Sequence, residues 1–138
     1  MKKFLFLLLF VFIGLGTKAQ NIGSVKTIQV KAVYDFQDTF NEYRVNSYLK
    51  HRLEEKGFTV YYDNQEAPAE VANDPCKLLK CNVKRDKSML ATKLIIELVN
   101  CKGEVVFTAK GESRLKARNK SHVDAIKNAL EYSTLNKL

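Results

Sequence analysis

Between Thr27 and Asp63 the apolar residues change their spacing twice, and that change constrains the fold more than any other feature of the chain. From Thr27 to Phe36 they alternate. Ile28, Val30, Ala32, Tyr34 and Phe36 fall on one side, and Thr27, Gln29, Lys31 and Asp35 on the other. A period of two is that of a half-buried strand. Further on the period becomes three and four, through Val45, Tyr48, Leu49 and Leu53, which describes one face of a helix. Thr39 followed by Glu42 predicts a capping box at its start, each side chain satisfying a backbone N–H that the helix leaves open. Gly57 ends the helix, since glycine takes the left-handed cap conformation without strain. Alternation then returns at Phe58, Val60 and Tyr62. Strand, helix and strand joined this tightly predict a right-handed crossover with parallel strands.

The rest of the chain follows the same logic. Asn64 to Pro75 holds both prolines and reads as a linker, the segment expected to be most mobile, with a helical turn over Ala69 to Ala72. A three-strand meander comes next. Leu79, Cys81 and Val83 share one face of its first strand, and Arg85-Asp86-Lys87-Ser88 is a polar turn. Thr92 to Cys101 then places Leu94, Ile96 and Leu98 inward and Lys93, Ile95, Glu97, Val99 and Cys101 outward. Lys102-Gly103 fits a two-residue hairpin loop, and Val105, Phe107 and Ala109 give the core face of the last strand. Ser121 is the expected cap of a final helix, with Asp124 at its third position and Val123, Ile126, Ala129, Leu130 and Ser133 as the buried stripe. The prediction is an α+β fold: a two-layer sandwich of order βαβββα, with two helices on one face of a five-stranded mixed sheet. The outer face carries Ile95, Val99 and Val106 among charges, an ordinary content of exposed apolar residues.

Residues 1–19 are expected to be removed. Lys2 and Lys3 precede an unbroken apolar run from Phe4 to Ile13, and Thr17-Lys18-Ala19 offers small residues for a signal peptidase, so the simplest cleavage follows Ala19. The apolar stretch is shorter than the roughly 20 residues a spanning helix needs. Cleavage takes three lysines and no acid, lowering the formal charge from +8 to +5, and leaves residues 20–138 as a single α+β domain. A domain of this size buries roughly two-thirds of its unfolded surface and needs no metal to fold. The expected location is periplasmic or extracellular, with no membrane span after cleavage.

Three cysteines in an exported chain allow three pairings and leave one thiol over. Strand parity favours one. Cys81 lies on the core face with Leu79 and Val83, whereas Cys76 and Cys101 both fall on the opposite face, at the end of the hairpin away from its turn. Cys76–Cys101 is therefore the preferred bond, with Cys81 a small buried hydrophobe. A tight turn at Asp86-Lys87 would place Cys76 opposite Glu97, too far from Cys101. The pairing thus requires a loop of about six residues, Asp86 to Ala91, or an irregular approach through Asp74-Pro75.

Residues able to carry catalysis are sparse. The chain has two histidines. His51 is expected on the solvated side of the first helix, and His122 in the first turn of the last, where the helix dipole disfavours an imidazolium. No nucleophile elbow, zinc motif, phosphate-binding loop or dinucleotide fingerprint is present, and Cys76-x4-Cys81 has neither redox nor zinc spacing. The expectation is a non-enzymatic protein without cofactor or metal, whose partner is an envelope protein or ligand the sequence does not specify. The oligomeric state is equally open. The candidate anion-binding residues are Arg114, Lys116, Arg118 and Lys120, which gather where a helix begins. A second reading follows from them: a basic module for a polyanion or nucleic acid.

Two resemblances bear on this. Gly111-Glu112-Ser113-Arg114 through Leu130, with the order of the later elements, resembles a double-stranded RNA-binding domain, a family that implies phosphate contacts from lysines at the start of the last helix. The chain departs from it in the extra strand before its first helix and in having Asp124 where paired lysines are expected, and export removes the usual substrate. Glu54-Glu55-Lys56-Gly57-Phe58, Cys76-Lys77-Leu78-Leu79, Thr92-Lys93-Leu94 through Asn100-Cys101, and Val105-Val106-Phe107-Thr108 resemble a family of small exported proteins of unknown function from Bacteroidota-type bacteria. That resemblance implies a periplasmic or outer-membrane setting and no activity, and its cysteine positions agree with the Cys76–Cys101 bond.

Overall fold

A computed structural model describes residues 25–87 and 90–137, so the expected signal peptide lies outside the described residues. The strands are β1 (Thr27–Val30), β2 (Thr59–Tyr62), β3 (Leu78–Asp86), β4 (Thr92–Val99) and β5 (Val105–Ser113), and the helices α1 (Val45–Glu55), α2 (Ala69–Asn73) and α3 (Arg118–Glu131). The sheet runs β2-β1-β3-β4-β5. β1 pairs in parallel with both β2 and β3, and the remaining pairs are antiparallel. This is the expected five-stranded mixed sheet with α1 and α3 on one face. Its strands, counted singly, give βαββββα rather than βαβββα, with the short α2 added.

The alternating pattern delivers the core. Ile28, Val30, Val60, Leu79, Cys81, Val83, Leu94, Ile96, Leu98, Phe107 and Ala109 meet Val45, Leu49 and Leu53 of α1 and Ala125, Ile126, Ala129 and Leu130 of α3. Gly57 has φ +94° at the end of α1, as its role as a stop requires. At Gly111 the constraint is space instead: a β-carbon there would lie 1.8 Å from the Ala125 carbonyl oxygen, because the backbone of α3 rests directly on β5.

Five expectations need correction. The first strand stops at Val30 instead of Phe36. Side chains take over the backbone there: Asp63 accepts from the Ala32 N–H at 2.8 Å, and the buried Asn46 amide donates to the Lys31 and Ala32 carbonyls. Tyr34 stays in the core, its hydroxyl donating to the Cys81 carbonyl at 3.0 Å. The capping box does not form at Thr39 either. Glu42 accepts from Asp38, while Asn41 Oδ1 accepts from the N–H of Ser47, the third residue of α1. Asn41, Tyr43 and Arg44 all have φ near +60°, strained for the last two.

The β4–β5 turn is longer than two residues. Asn100 and Glu104 close it around Cys101, Lys102 and Gly103, with Asn100 Oδ1 accepting from both the Lys102 and Glu104 N–H groups. The pairing shifts between Leu98 and Val99, which turns Val105 outward (47% exposed) instead of into the core. Finally, the expected mobile linker is packed. Val71 and Ala67 cover Tyr61 and Leu78 on the outer face of the sheet, and Pro75–Lys77 forms a 3-10 turn. The last helix also departs from expectation, beginning at Arg118 instead of after Ser121.

Cys76 and Cys101 are bonded, with Cα atoms 4.9 Å apart. Of the two routes the register left open, the irregular approach is the one taken. The pairing Asp86↔Lys93 sets the position of Cys101 level with Leu78, and the 3-10 turn Pro75–Lys77 brings Cys76 to it. Cys81 is free and buried.

Asn46 holds the segment between β1 and α1 together. Its Oδ1 accepts from Gln37 Nε2 at 2.7 Å, and Gln37 in turn bonds the Tyr34 N–H and the Glu42 carbonyl. Asn46→Ala strands two buried carbonyls and an amide, so it is expected to lower unfolding free energy by about 2 kcal/mol, read from urea denaturation.

Candidate functional site

The chain leaves β5 at Ser113 and enters α3 at Arg118, one turn earlier than a Ser121 cap would allow. Ser121 is inside the helix: its N–H bonds the Ala117 carbonyl at 2.8 Å, and its hydroxyl donates to the Arg118 carbonyl and accepts from Thr92. The actual N-cap, Ala117, has no side chain with which to cap. Arg118, Asn119 and Lys120 form the first turn, and Asp124 lies in the second turn, away from the open N–H groups. The buried face shifts accordingly to Ser121, His122, Ala125, Ile126, Ala129 and Leu130, leaving Val123 and Ser133 half-buried.

Of the four candidate anion-binding residues, Arg114, Lys116 and Arg118 line one shallow groove of about 420 Å³, floored by Thr92 and Ser121. Lys120 is exposed and stands outside that lining. Arg114 pairs with Glu112 at 3.4 Å, whereas Lys116, Arg118 and Lys120 have no carboxylate partner among the described residues. The sheet lysines are differently placed. Lys84 pairs with Glu97 at 3.1 Å and Lys93 approaches Glu112 at 4.0 Å.

Arg118 also borders a second cleft of about 560 Å³, which the sequence reading missed. The most buried residue of its lining is His122, 3% exposed. The imidazole lies against Tyr43, with centroids 4.2 Å apart and planes 13° from parallel, and Phe36 stacks at 6.0 Å. The strained backbone at Tyr43 is what delivers that ring. Nδ1 sits 2.7 Å from the Arg118 carbonyl, which can only accept, so Nδ1 carries the proton; Nε2 is buried with no hydrogen-bond partner among the described residues. The cleft is completed by Arg85, Lys87, Asp38, Asp86 and Thr92. Shifting α3 by one turn is what turned an expected first-turn histidine into a buried one. The i, i+4 spacing of Arg118 and His122, beside the aromatic pair Phe36 and Tyr43, was the available signal.

Burial pushes the His122 imidazole below the ordinary histidine range. The Arg118 carbonyl and Glu42 oppose this, and the cations of Arg85 and Arg118 reinforce it. The folded state thus binds the proton more weakly than the unfolded chain. Stability is complete above about pH 6.5 and falls as the pH drops through the lower folded-state value. Urea midpoints are expected to decline between pH 7.5 and 5, and His122→Phe to flatten that decline. Glu42, held below the usual carboxylate range chiefly by the Asp38 N–H, titrates beneath this window.

Other groups offer little reactivity. Burial pushes the Cys81 thiol up to about 12, which removes the thiolate a nucleophile would need. His51 is exposed, 3.4 Å from Glu55. Among the described residues no cluster of three or more His, Cys, Asp or Glu could hold a metal ion, and no helix is long and apolar enough to cross a membrane.

No family model and no curated protein matches the chain. Among solved structures it is similar, distantly, to the dodecamer of a PelC point variant from Paraburkholderia phytofirmans, at 18% identity and a TM-score of 0.49, over 78% of this chain and 88% of that one.

Proposed function

We propose that this is an exported, non-enzymatic binding or assembly-accessory protein of the cell envelope, and that its binding surface for anions is the start of α3. One observation carries the reading. Lys116 and Arg118 share a groove with Arg114 and have no carboxylate partner among the described residues, beside a helix end whose N–H groups lack a capping side chain. Lys120 extends the same positive surface. Export is supported by the disulfide, since such bonds persist in oxidising compartments, and by the expected signal peptide.

The second reading, a polyanion binder, is favoured by the same surface and shares its test. The exported protein, whose mature N-terminus is expected at Gln20 by mass spectrometry, is titrated with heparin and with a DNA duplex at rising salt. Binding that weakens steeply with salt and is lost in Lys116→Ala/Lys120→Ala supports the surface. Salt-insensitive binding, or none, removes it, and an unprocessed protein retained in the cytosol removes export.

A further inference from the structure

We propose that the cleft at His122 is a separate site for a small hydroxylated carboxylic acid, whose hydroxyl donates to His122 Nε2 while its carboxylate meets the guanidinium groups of Arg85 and Arg118. The Nδ1 proton of the His122 imidazole is committed to the Arg118 carbonyl, so the neutral ring leaves Nε2 as a bare acceptor. That nitrogen is buried, on a side chain that lines an open cleft, and has no partner among the described residues. Buried polar atoms are almost always paired, so an orphan on a side chain that lines a cleft points to a ligand atom as its partner. The missing group must be a donor, an O–H or N–H.

The rim says what else the ligand carries. Arg85, Lys87 and Arg118 reach the cleft from β3, its following loop and α3, and none has an ion-pair partner among the described residues, although Asp38 and Asp86 line the same space. Arg85 is held over the Phe36 ring at 5.9 Å, which fixes its guanidinium at the mouth. Guanidinium groups suit the planar carboxylate. Asp38 and Asp86 are acceptors for further hydroxyls, and together these favour a polyhydroxylated acid over a simple one. Groups facing His122 therefore come from every side: Arg118 on its own helix, Glu42 and Tyr43 before α1, and Arg85 on β3.

The test uses disulfide-bonded exported protein, with D-glucuronate as probe and glucose and acetate as controls. Affinity is read by calorimetry and the His122 ring nitrogens by NMR. Glucuronate is expected to bind and to shift the Nε2 resonance, with glucose and acetate at least about tenfold weaker. His122→Phe keeps the stacked ring and loses the acceptor; Arg85→Gln alters only an exposed residue and keeps the test valid should the first variant not fold. Each is expected to lose about tenfold or more. A glucuronate-terminated disaccharide distinguishes a polymer end, which binds tighter than the monomer, from a free acid, which binds tighter than the disaccharide. No glucuronate binding, acetate binding equally well, or both variants binding as the parent protein does overturns the proposal. Lys116→Ala/Lys120→Ala is expected to leave glucuronate affinity intact, which separates this cleft from the polyanion surface.

Discussion

Gly111→Ala is expected to destabilise the protein by about 3 kcal/mol, the upper end of what over-packing costs, seen as a lower urea midpoint. The added methyl would meet the Ala125 carbonyl oxygen at 1.8 Å and the Ala129 nitrogen at 2.6 Å. These are helix backbone atoms, so no rotamer change relieves the clash, and α3 must lift from β5. Ala125 and Ala129, both buried on α3, keep that contact thin from the helix side. Gly103 provides the contrast. Nothing lies within 4 Å of a β-carbon there, and only its φ of +77° resists substitution. Gly103→Ala should therefore cost about 1 kcal/mol, the left-handed penalty alone. Equal stability of Gly111→Ala and the parent protein would mean that α3 is not seated on β5.

Loss of the Cys76–Cys101 bond is expected to cost about 3 kcal/mol on the chain-entropy account, given a sequence separation of 25. Both cysteines are exposed, so a double serine variant removes the cross-link without opening a cavity. Its urea midpoint should match that of reduced parent protein. A midpoint unchanged by reduction would show that the bond is absent or contributes nothing. Urea unfolding exposes the free Cys81 thiol to exchange with this bond, so the comparison is made in a Cys81→Ala background.

The sheet was readable because period-two runs determine which side chains share a face, and Leu79, Cys81, Val83, Leu94, Ile96 and Leu98 all lie inward as their spacing requires. Gly57 and the parallel crossover were readable for the same local reasons. What escaped was decided by partners distant in sequence. Alternation continues through Ala32 and Tyr34, yet Asp63 and Asn46 capture the backbone there and end β1 at Val30. A serine before an amphipathic run looks like a cap. Ser121 nevertheless bonds Thr92, twenty-nine residues away, and α3 starts a turn earlier without a capping side chain. That single displacement moved His122 from the expected first turn into the buried face of α3, beside a cleft, so the candidate site was only half visible. The groove takes Arg114 and Lys116 from one connector and Arg118 from the start of α3, while the cleft draws Arg85, Phe36 and Tyr43 from elsewhere in the chain.

The position of β1 between β2 and β3 has a consequence for how the protein matures. Thr27 pairs with Thr59 on one side and with Leu78 on the other. A chain delivered amino-terminus first therefore presents β1 early but completes its pairing only after β3 has emerged. The β3–β4–β5–α3 block, by contrast, is contiguous and can assemble from near neighbours. Until that block arrives, one side of β1 stays unpaired and open to mispairing, so protection by a chaperone would matter most during this interval.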